Sequence, residues 1–201
     1  HCRLFDKLGA HPMETAGQPG VLFAALFPAA EAVSGVGDFN GWDQAAHPLL
    51  PRADGSGVWE GFVPDLGRGA AYQYHVVSRE GSFTARKADP FARMAGEPPG
   101  STSVVWTREH VFSDLEWMDS RTRRQSPRDP LAALEVHLGS WQRVPEENNR
   151  YLTYDELAWR LGNYLEEPGF THVEFLPVME HPADASWGFE VTSFFAPTRR
   201  H

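Results

Sequence analysis

The sequence has a single cysteine, Cys2, among its 201 residues. One cysteine cannot form an internal disulfide, and it excludes a metal cluster that is ligated by cysteines alone. No stretch approaches the roughly 20 apolar residues that a membrane-spanning helix needs, and no signal-peptide pattern opens the chain. We therefore expect a protein of the reducing cytoplasm, without a membrane partner.

Positive charge is also scarce, because 18 Lys and Arg stand against 27 Asp and Glu, which gives a net charge of −9. This balance disfavours nucleic acid and anionic membranes as partners. Arginines cluster only at Arg121, Arg123, Arg124 and Arg128, without interleaved aromatic residues, so they do not predict a nucleic-acid patch. A neutral ligand such as a sugar is compatible with this charge.

Turn-forming and aromatic residues are abundant, with 18 Gly, 16 Pro and 12% aromatic residues. Up to residue 107 the pattern is one of short strands separated by Gly, Asn and Asp. The predicted strands are 21–27, 32–36, 58–63, 71–78, 82–86 and 103–106. Tyr72 and Tyr74 alternate with Gln73 and His75, as in a strand that packs one face on a core. The spacing predicts an all-β, immunoglobulin-like sandwich.

A different pattern follows. Residues 131–138 are an apolar strand candidate, and residues 171–178 are a second one. Between them Thr153 begins a helix, with Glu156 three residues later as its capping-box partner. Strand, helix and strand form a βαβ unit whose strands lie parallel. Because one unit cannot cover both faces of its sheet, we expect it to open a larger α/β domain.

The chain is therefore expected to be multidomain. The predicted parts are an N-terminal arm over 1–20, the sandwich over 21–107, a linker over 108–130 and the truncated α/β domain over 131–201. The first residue is His1, and His201 follows directly on an apparent loop. From these ends we expect a fragment of a longer chain.

Candidate ligand-binding residues lie in two places. Trp42 and Tyr74 would present aromatic faces to sugar rings, with Asn40 bonding a hydroxyl. A core position for Trp42 is the alternative that the sequence leaves open. Trp187 and Phe189 lie in a loop beyond the second apolar strand, where parallel α/β folds bind ligands.

Several segments resemble one family in their order along the chain. In the sandwich they are Gly37-Asp38-Phe39-Asn40-Gly41-Trp42, Tyr72-Gln73-Tyr74-His75 and Lys87-Ala88-Asp89-Pro90-Phe91. Later they are Glu135-Val136-His137-Leu138-Gly139-Ser140-Trp141, Tyr151-Leu152-Thr153-Tyr154-Asp155-Glu156-Leu157-Ala158 and Ser186-Trp187-Gly188-Phe189. These segments are similar to bacterial 1,4-α-glucan (glycogen) branching enzymes of the α-amylase superfamily.

The resemblance implies that residues 131–201 are the first βαβ unit of a (β/α)₈ TIM barrel. The whole enzyme would cut an α-1,4-glucan and transfer it to a 6-hydroxyl as an α-1,6 branch. The family's catalytic carboxylates lie beyond the position of His201, so no catalytic residue, metal ligand or cofactor is expected here. Glycogen or amylose is the expected partner. Phe189 stands where the family usually has Tyr, which keeps the ring face and loses a hydroxyl hydrogen bond.

Two other interpretations stay open. The chain would be a non-catalytic glucan-binding or regulatory module if the barrel segment were vestigial. It would alternatively belong to a glycoside hydrolase similar to maltooligosyl trehalose trehalohydrolase, although the segments around His181-Pro182 and Trp187-Gly188 favour the branching enzymes.

Overall fold

The computed structural model describes residues 3–79, 83–97, 100, 102–107, 110–126 and 128–201. Two compact units can be distinguished. The first comprises His1–Thr107 and Met179–Arg199, and the second comprises Arg108–Val178 and Arg200–His201. Among the described residues, every helix is too short or too polar to cross a membrane.

The first unit begins with nine short strands. They are β1 (Gly9–Thr15), β2 (Gln18–Leu26), β3 (Ala30–Gly37), β4 (Pro48–Pro51), β5 (Val58–Pro64), β6 (Ala71–Ser78), β7 (Thr84–Lys87), β8 (Met94–Ala95) and β9 (Ser103–Val104). They pair in the order β1-β2-β5-β4-β3-β6-β9-β8, and β7 also pairs with β6. Every pair among them is antiparallel. The predicted all-β character of this unit is confirmed.

One hydrophobic core lies between the two halves of this sheet. On β2 the alternate residues Val21, Phe23 and Ala25 are buried, so one face of the strand points inward. The other strands contribute Val33, Leu49, Trp59, Val63, Tyr72 and Tyr74 to the same core. Because β2 and β5 supply one side and β3 and β6 the other, the sheet folds into the two layers of a sandwich.

The predicted N-terminal arm is wrong for its central part, because Gly9–Thr15 is the edge strand β1. This strand pairs with β2 along its whole length, from Gly9 opposite Ala24 to Thr15 opposite Gln18. The strand contains Pro12, and a proline in the sequence argues against a strand. A proline lacks the N–H that a central strand must donate, but an edge strand tolerates it. Strand β4 was not predicted for the same reason, because it begins and ends with proline.

The second unit contains α1 (Leu115–Arg124), β10 (Ala133–Val136), α2 (Leu138–Trp141), β11 (Arg143–Val144), β12 (Arg150–Tyr151), α3 (Tyr154–Glu166) and β13 (His172–Phe175). Strands β10 and β13 pair in parallel, with Ala133 opposite His172 and Val136 opposite Phe175. The predicted strand–helix–strand arrangement is therefore present. That it opens a (β/α)₈ barrel stays a prediction.

Helix α1 lies within the segment predicted as a linker, so that prediction is wrong for Leu115–Arg124. None of its residues is buried. Arginines occupy its last turn, where they complement the negative end of the helix dipole. A helix without a buried face leaves little apolar periodicity in the sequence, which explains the error.

Helix α3 begins as predicted. The Thr153 hydroxyl accepts a hydrogen bond from the Glu156 N–H at 3.2 Å, and the Glu156 carboxylate accepts one from the Thr153 N–H at 2.8 Å. Arg150 donates two further bonds to Glu156, at 2.8 and 3.0 Å. These hydrogen bonds lower the pKa of Glu156 to about 2, and those from Arg150 contribute most to the shift. Leu157 and Leu161 then face the core of the second unit.

The last two strands, β14 (Met179–Glu180) and β15 (Ser193–Pro197), group with the first unit rather than with the rest of residues 131–201. The Phe195 ring stacks on Phe91 with centroids 5.2 Å apart, and it lies 6.0 Å from Phe5. These contacts join residues far apart in sequence, so the predicted boundaries did not anticipate them.

Candidate functional site

Asn40 organises the turn between β3 and β4. Its side-chain oxygen accepts a hydrogen bond from the Gly37 N–H at 3.0 Å. Its amide nitrogen donates to the Gly35 carbonyl at 3.0 Å and lies 2.9 Å from Nδ1 of His47. The amide is thus committed to the protein. The sequence placed Asn40 in the right turn, and a hydrogen bond between Asn40 and a sugar hydroxyl stays a prediction.

Trp42 follows this turn and lies on the side of the sandwich away from the core. It has a positive φ of 63°, and its N–H bonds to the Gly37 carbonyl at 2.8 Å. The Arg86 guanidinium lies 5.7 Å from its ring centroid. The indole is half-buried, so part of it remains open to a ligand. The alternative core position for Trp42 is not observed.

His75 and Gln73 belong to the same outer face. They alternate along β6 with the buried tyrosines, although His75 is itself only 7% exposed, and His75 pairs in register with Arg86 of β7. Nδ1 of His75 is buried and has no hydrogen-bond partner among the described residues. Burial, followed by the charge of Arg86, lowers the pKa of His75. The imidazole is therefore neutral near pH 7, a state that can both donate to and accept from a hydroxyl. We call Trp42, Gln73, His75 and Arg86 the outer aromatic face.

Tyr74 does not join the outer aromatic face, and its predicted stacking role is wrong. The side chain is fully buried, and its ring makes an edge contact with Phe27 at 5.8 Å. Alternation along β6 was read correctly, but periodicity alone does not say which of the two faces meets the core. The face that carries Gln73 and His75 is the outer one.

The hydroxyls of the two buried tyrosines of β6 share one buried carboxylate as their hydrogen-bond acceptor. Tyr72 and Tyr74 both donate to Oδ2 of Asp89, at 2.6 and 3.1 Å. Oδ1 of Asp89 accepts from the Phe91 N–H at 2.8 Å. Burial raises the pKa of Asp89, although these three hydrogen bonds oppose the shift. Sequence reasoning missed this cluster; two tyrosines on the core face of one strand were its only signal.

Trp187 and Phe189 share one exposed turn in the loop between β14 and β15. Trp187 has a φ of 54°, a conformation that bulky residues rarely adopt, and its N–H bonds to the Asp184 carbonyl at 3.0 Å. The Phe189 N–H bonds to the Ser186 carbonyl at 3.0 Å. Both side chains are exposed, Trp187 at 54% and Phe189 at 67%. The sequence prediction placed them together correctly; their role stays a prediction.

Glu180 closes the base of this loop with a carboxylate that is only 2% exposed. Oε1 accepts hydrogen bonds from the His181 N–H at 3.0 Å and from the Thr198 hydroxyl at 2.9 Å. Oε2 accepts one from the Arg199 N–H at 2.9 Å. One side chain therefore fixes both ends of the segment that presents Trp187. In the described part of the chain, no group of three His, Cys, Asp or Glu residues is placed to hold a metal ion.

Residues 7–92 match the family described as Carbohydrate-binding module 48 (Isoamylase N-terminal domain). This segment, which we call the module, is therefore similar to the carbohydrate-binding domains of that family. The match begins at residue 7, so β1 is part of the module rather than of an arm. The module includes Trp42, Asn40 and the whole outer aromatic face.

Three curated relatives extend the similarity to the full chain. All are named 1,4-alpha-glucan branching enzyme GlgB. The protein of Aquifex aeolicus is 48% identical over 201 residues, and that of Paramagnetospirillum magneticum is 48% identical over 202 residues. The protein of Gloeobacter violaceus is 44% identical over 201 residues. Each alignment covers 100% of this chain but only 32%, 27% and 27% of the respective relatives. The resemblance to branching enzymes is confirmed, and it concerns their N-terminal part.

Proposed function

We propose that this chain is the glucan-binding, N-terminal part of a 1,4-α-glucan branching enzyme. The module 48 domain binds α-1,4-glucan such as glycogen or amylose. The β10–α3–β13 unit is the first βαβ unit of a (β/α)₈ barrel that carries the transferase chemistry. The identity of up to 48% along the whole chain supports this function, and the single cysteine fits a cytoplasmic enzyme of glycogen synthesis.

The outer aromatic face carries the binding part of the proposal. An indole face packs against the C–H groups of a glucose ring, and the hydroxyls at the ring edge need donors and acceptors. Gln73, Arg86 and a neutral His75 supply them around Trp42.

Replacing Trp42 with alanine is expected to weaken binding of maltoheptaose at least about tenfold, which corresponds to about 1.4 kcal/mol of lost stacking. Isothermal titration calorimetry on the folded variant measures the change. Trp117→Ala is the matched control, because Trp117 is also an exposed indole but lies on α1, outside the module. Unchanged affinity in a folded Trp42→Ala variant would contradict the assignment of this face.

The transferase part predicts that the chain alone forms no α-1,6 linkages. Retaining transfer between glucans needs two carboxyl groups about 5 Å apart, on opposite sides of the scissile bond. We infer that these groups belong to later barrel strands. A fusion of this chain to the remaining part of the Aquifex aeolicus protein is therefore expected to branch amylose, measured as new reducing ends after isoamylase digestion. Branching by the chain alone, or none by the folded fusion, would overturn this part.

In the whole enzyme we place Trp187 and Phe189 in the wall of the donor-glucan site. Both rings are exposed on one turn, and Glu180 fixes the base of that turn. Phe189 would stack on the sugar without donating the hydrogen bond that a tyrosine hydroxyl offers.

A further inference from the structure

The outward face of α3 carries an indole where a solvated helix face normally carries charge. Leu157 and Leu161 are the buried residues of this helix. Trp159 is two positions from each, which places it about 200° around the helix axis from both. It thus lies opposite the core, and 71% of its surface is exposed. Such a position contributes nothing to the core, and it exposes a large apolar ring to water.

Polar residues surround the indole at helical spacing. Asp155 precedes Trp159 by four positions and Asn163 follows it by four, so their Cβ atoms lie about 5–6 Å from its own. Both are exposed, and neither side chain makes a hydrogen bond or ion pair with any described residue. Gly162, three positions after Trp159, has open space where a Cβ would be. The ring is therefore accessible from this side, with free hydrogen-bonding groups at both ends.

We propose that Trp159, Asp155 and Asn163 form a second binding site for α-1,4-glucan on the outside of α3. A glucose unit stacks on the indole and passes over Gly162. Asp155 accepts hydrogen bonds from sugar hydroxyls, and Asn163 both donates and accepts. The identity of the ligand rests on the function proposed above.

Charge favours a neutral ligand here over an anionic one. Asp155 and Glu166 both lie on the outward side of α3, within a chain of net charge −9. Phosphate-bearing ligands and anionic lipid would be repelled. A polyhydroxylated, uncharged chain is not repelled, and it can use the carboxylate as an acceptor.

Two sites on one chain would act together on a long polymer. Once the outer aromatic face holds a glucan, the second binding event becomes intramolecular, provided that the polymer spans both sites. Glycogen is then retained more strongly than either site alone would allow.

The test follows the indole N–H signals of the whole chain by ¹⁵N NMR during titration with maltoheptaose. The Trp159 signal is identified by its loss in Trp159→Ala, a variant expected to keep the wild-type melting temperature. We expect saturable shifts of the Trp42 and Trp159 signals and none of Trp117. In Trp42→Ala the Trp159 shift should persist. In the double variant Asp155→Ala/Asn163→Ala the apparent dissociation constant at Trp159 should rise at least about fivefold, with that at Trp42 unchanged.

The possible failures are distinguishable. A Trp42 shift without a Trp159 shift overturns the second site and leaves the proposed function standing. Loss of the Trp159 shift in Trp42→Ala also overturns it, because the effect would then originate in the module. If neither signal moves at saturating maltoheptaose, glucan binding by this chain fails altogether, and the second site fails with it.

Discussion

Replacing Asp89 with alanine is expected to lower the free energy of unfolding of the module by about 3–5 kcal/mol, because each buried polar group without a partner costs about 1–3 kcal/mol. The hydroxyls of Tyr72 and Tyr74 both lose their acceptor, and both tyrosines are fully buried. The Phe91 N–H loses its partner too. Urea unfolding followed by near-ultraviolet circular dichroism measures the change.

Asp89→Asn keeps the shape of the side chain but removes its ionisable carboxyl group, so it tests the effect of charge in this cluster. Burial raises the pKa of Asp89 above its ordinary value of 3.8. Its contribution to stability is therefore fully present below pH 3.8 and is lost as the pH rises through the folded-state value. Asparagine has no such titration, so the stability difference between wild type and Asp89→Asn should change with pH above 3.8 in favour of the variant. A difference that is constant between pH 3 and pH 7 would show that Asp89 titrates as it does in the unfolded chain.

Among the described residues of the first unit, the carboxylates of Asp89 and Glu180 are both buried, and hydrogen bonds hold them in a similar way. Asp89 and Glu180 each accept hydrogen bonds from backbone N–H and hydroxyl groups. Asp89 links the last part of the module to the core face of β6, and Glu180 closes the loop that presents Trp187. A carboxylate can hold two chain segments at once because it offers about four acceptor positions.

Local signals predicted the elements that depend on neighbours in sequence. The capping box of Thr153 and Glu156 is contained in four residues, so the start of α3 followed from the sequence. Strand β6 was predicted with its observed limits, because alternation is also a local pattern. Strand β1 was missed because it is defined by its pairing with β2, which its own composition does not reveal.

The site was predictable only to the level of its segments. The turn that presents Trp42 was found from its Gly, Asp and Asn residues, and the loop that presents Trp187 from its place after the second apolar strand. The inward direction of Tyr74 was not, since it depends on Asp89, 15 positions away in the chain. The commitment of Asn40 to His47 likewise requires the folded turn.

Gly37 couples the fold of the module to its outer aromatic face. Its φ of −175° is ordinary extended backbone, so the reason for glycine is space rather than conformation. A Cβ at this position would overlap the backbone carbonyl oxygen of Ala71 and the ring of Phe39. Gly37 also pairs with Tyr72 across β3 and β6, and its carbonyl accepts the N–H of Trp42.

Gly37→Ala is therefore expected to destabilise the module by about 2–3 kcal/mol, the upper part of the range for an overpacked site, and to displace the turn that holds Trp42. Maltoheptaose affinity at the outer aromatic face should fall at temperatures where the variant is still folded. The matched control is Gly35→Ala on the same strand, where a Cβ meets no atom within 4 Å and little loss is expected. Calorimetric unfolding and titration of both variants measure the two effects. Equal behaviour of Gly37→Ala and Gly35→Ala would mean that Ala71 and Phe39 yield to the extra carbon, and that Gly37 does not set the position of Trp42.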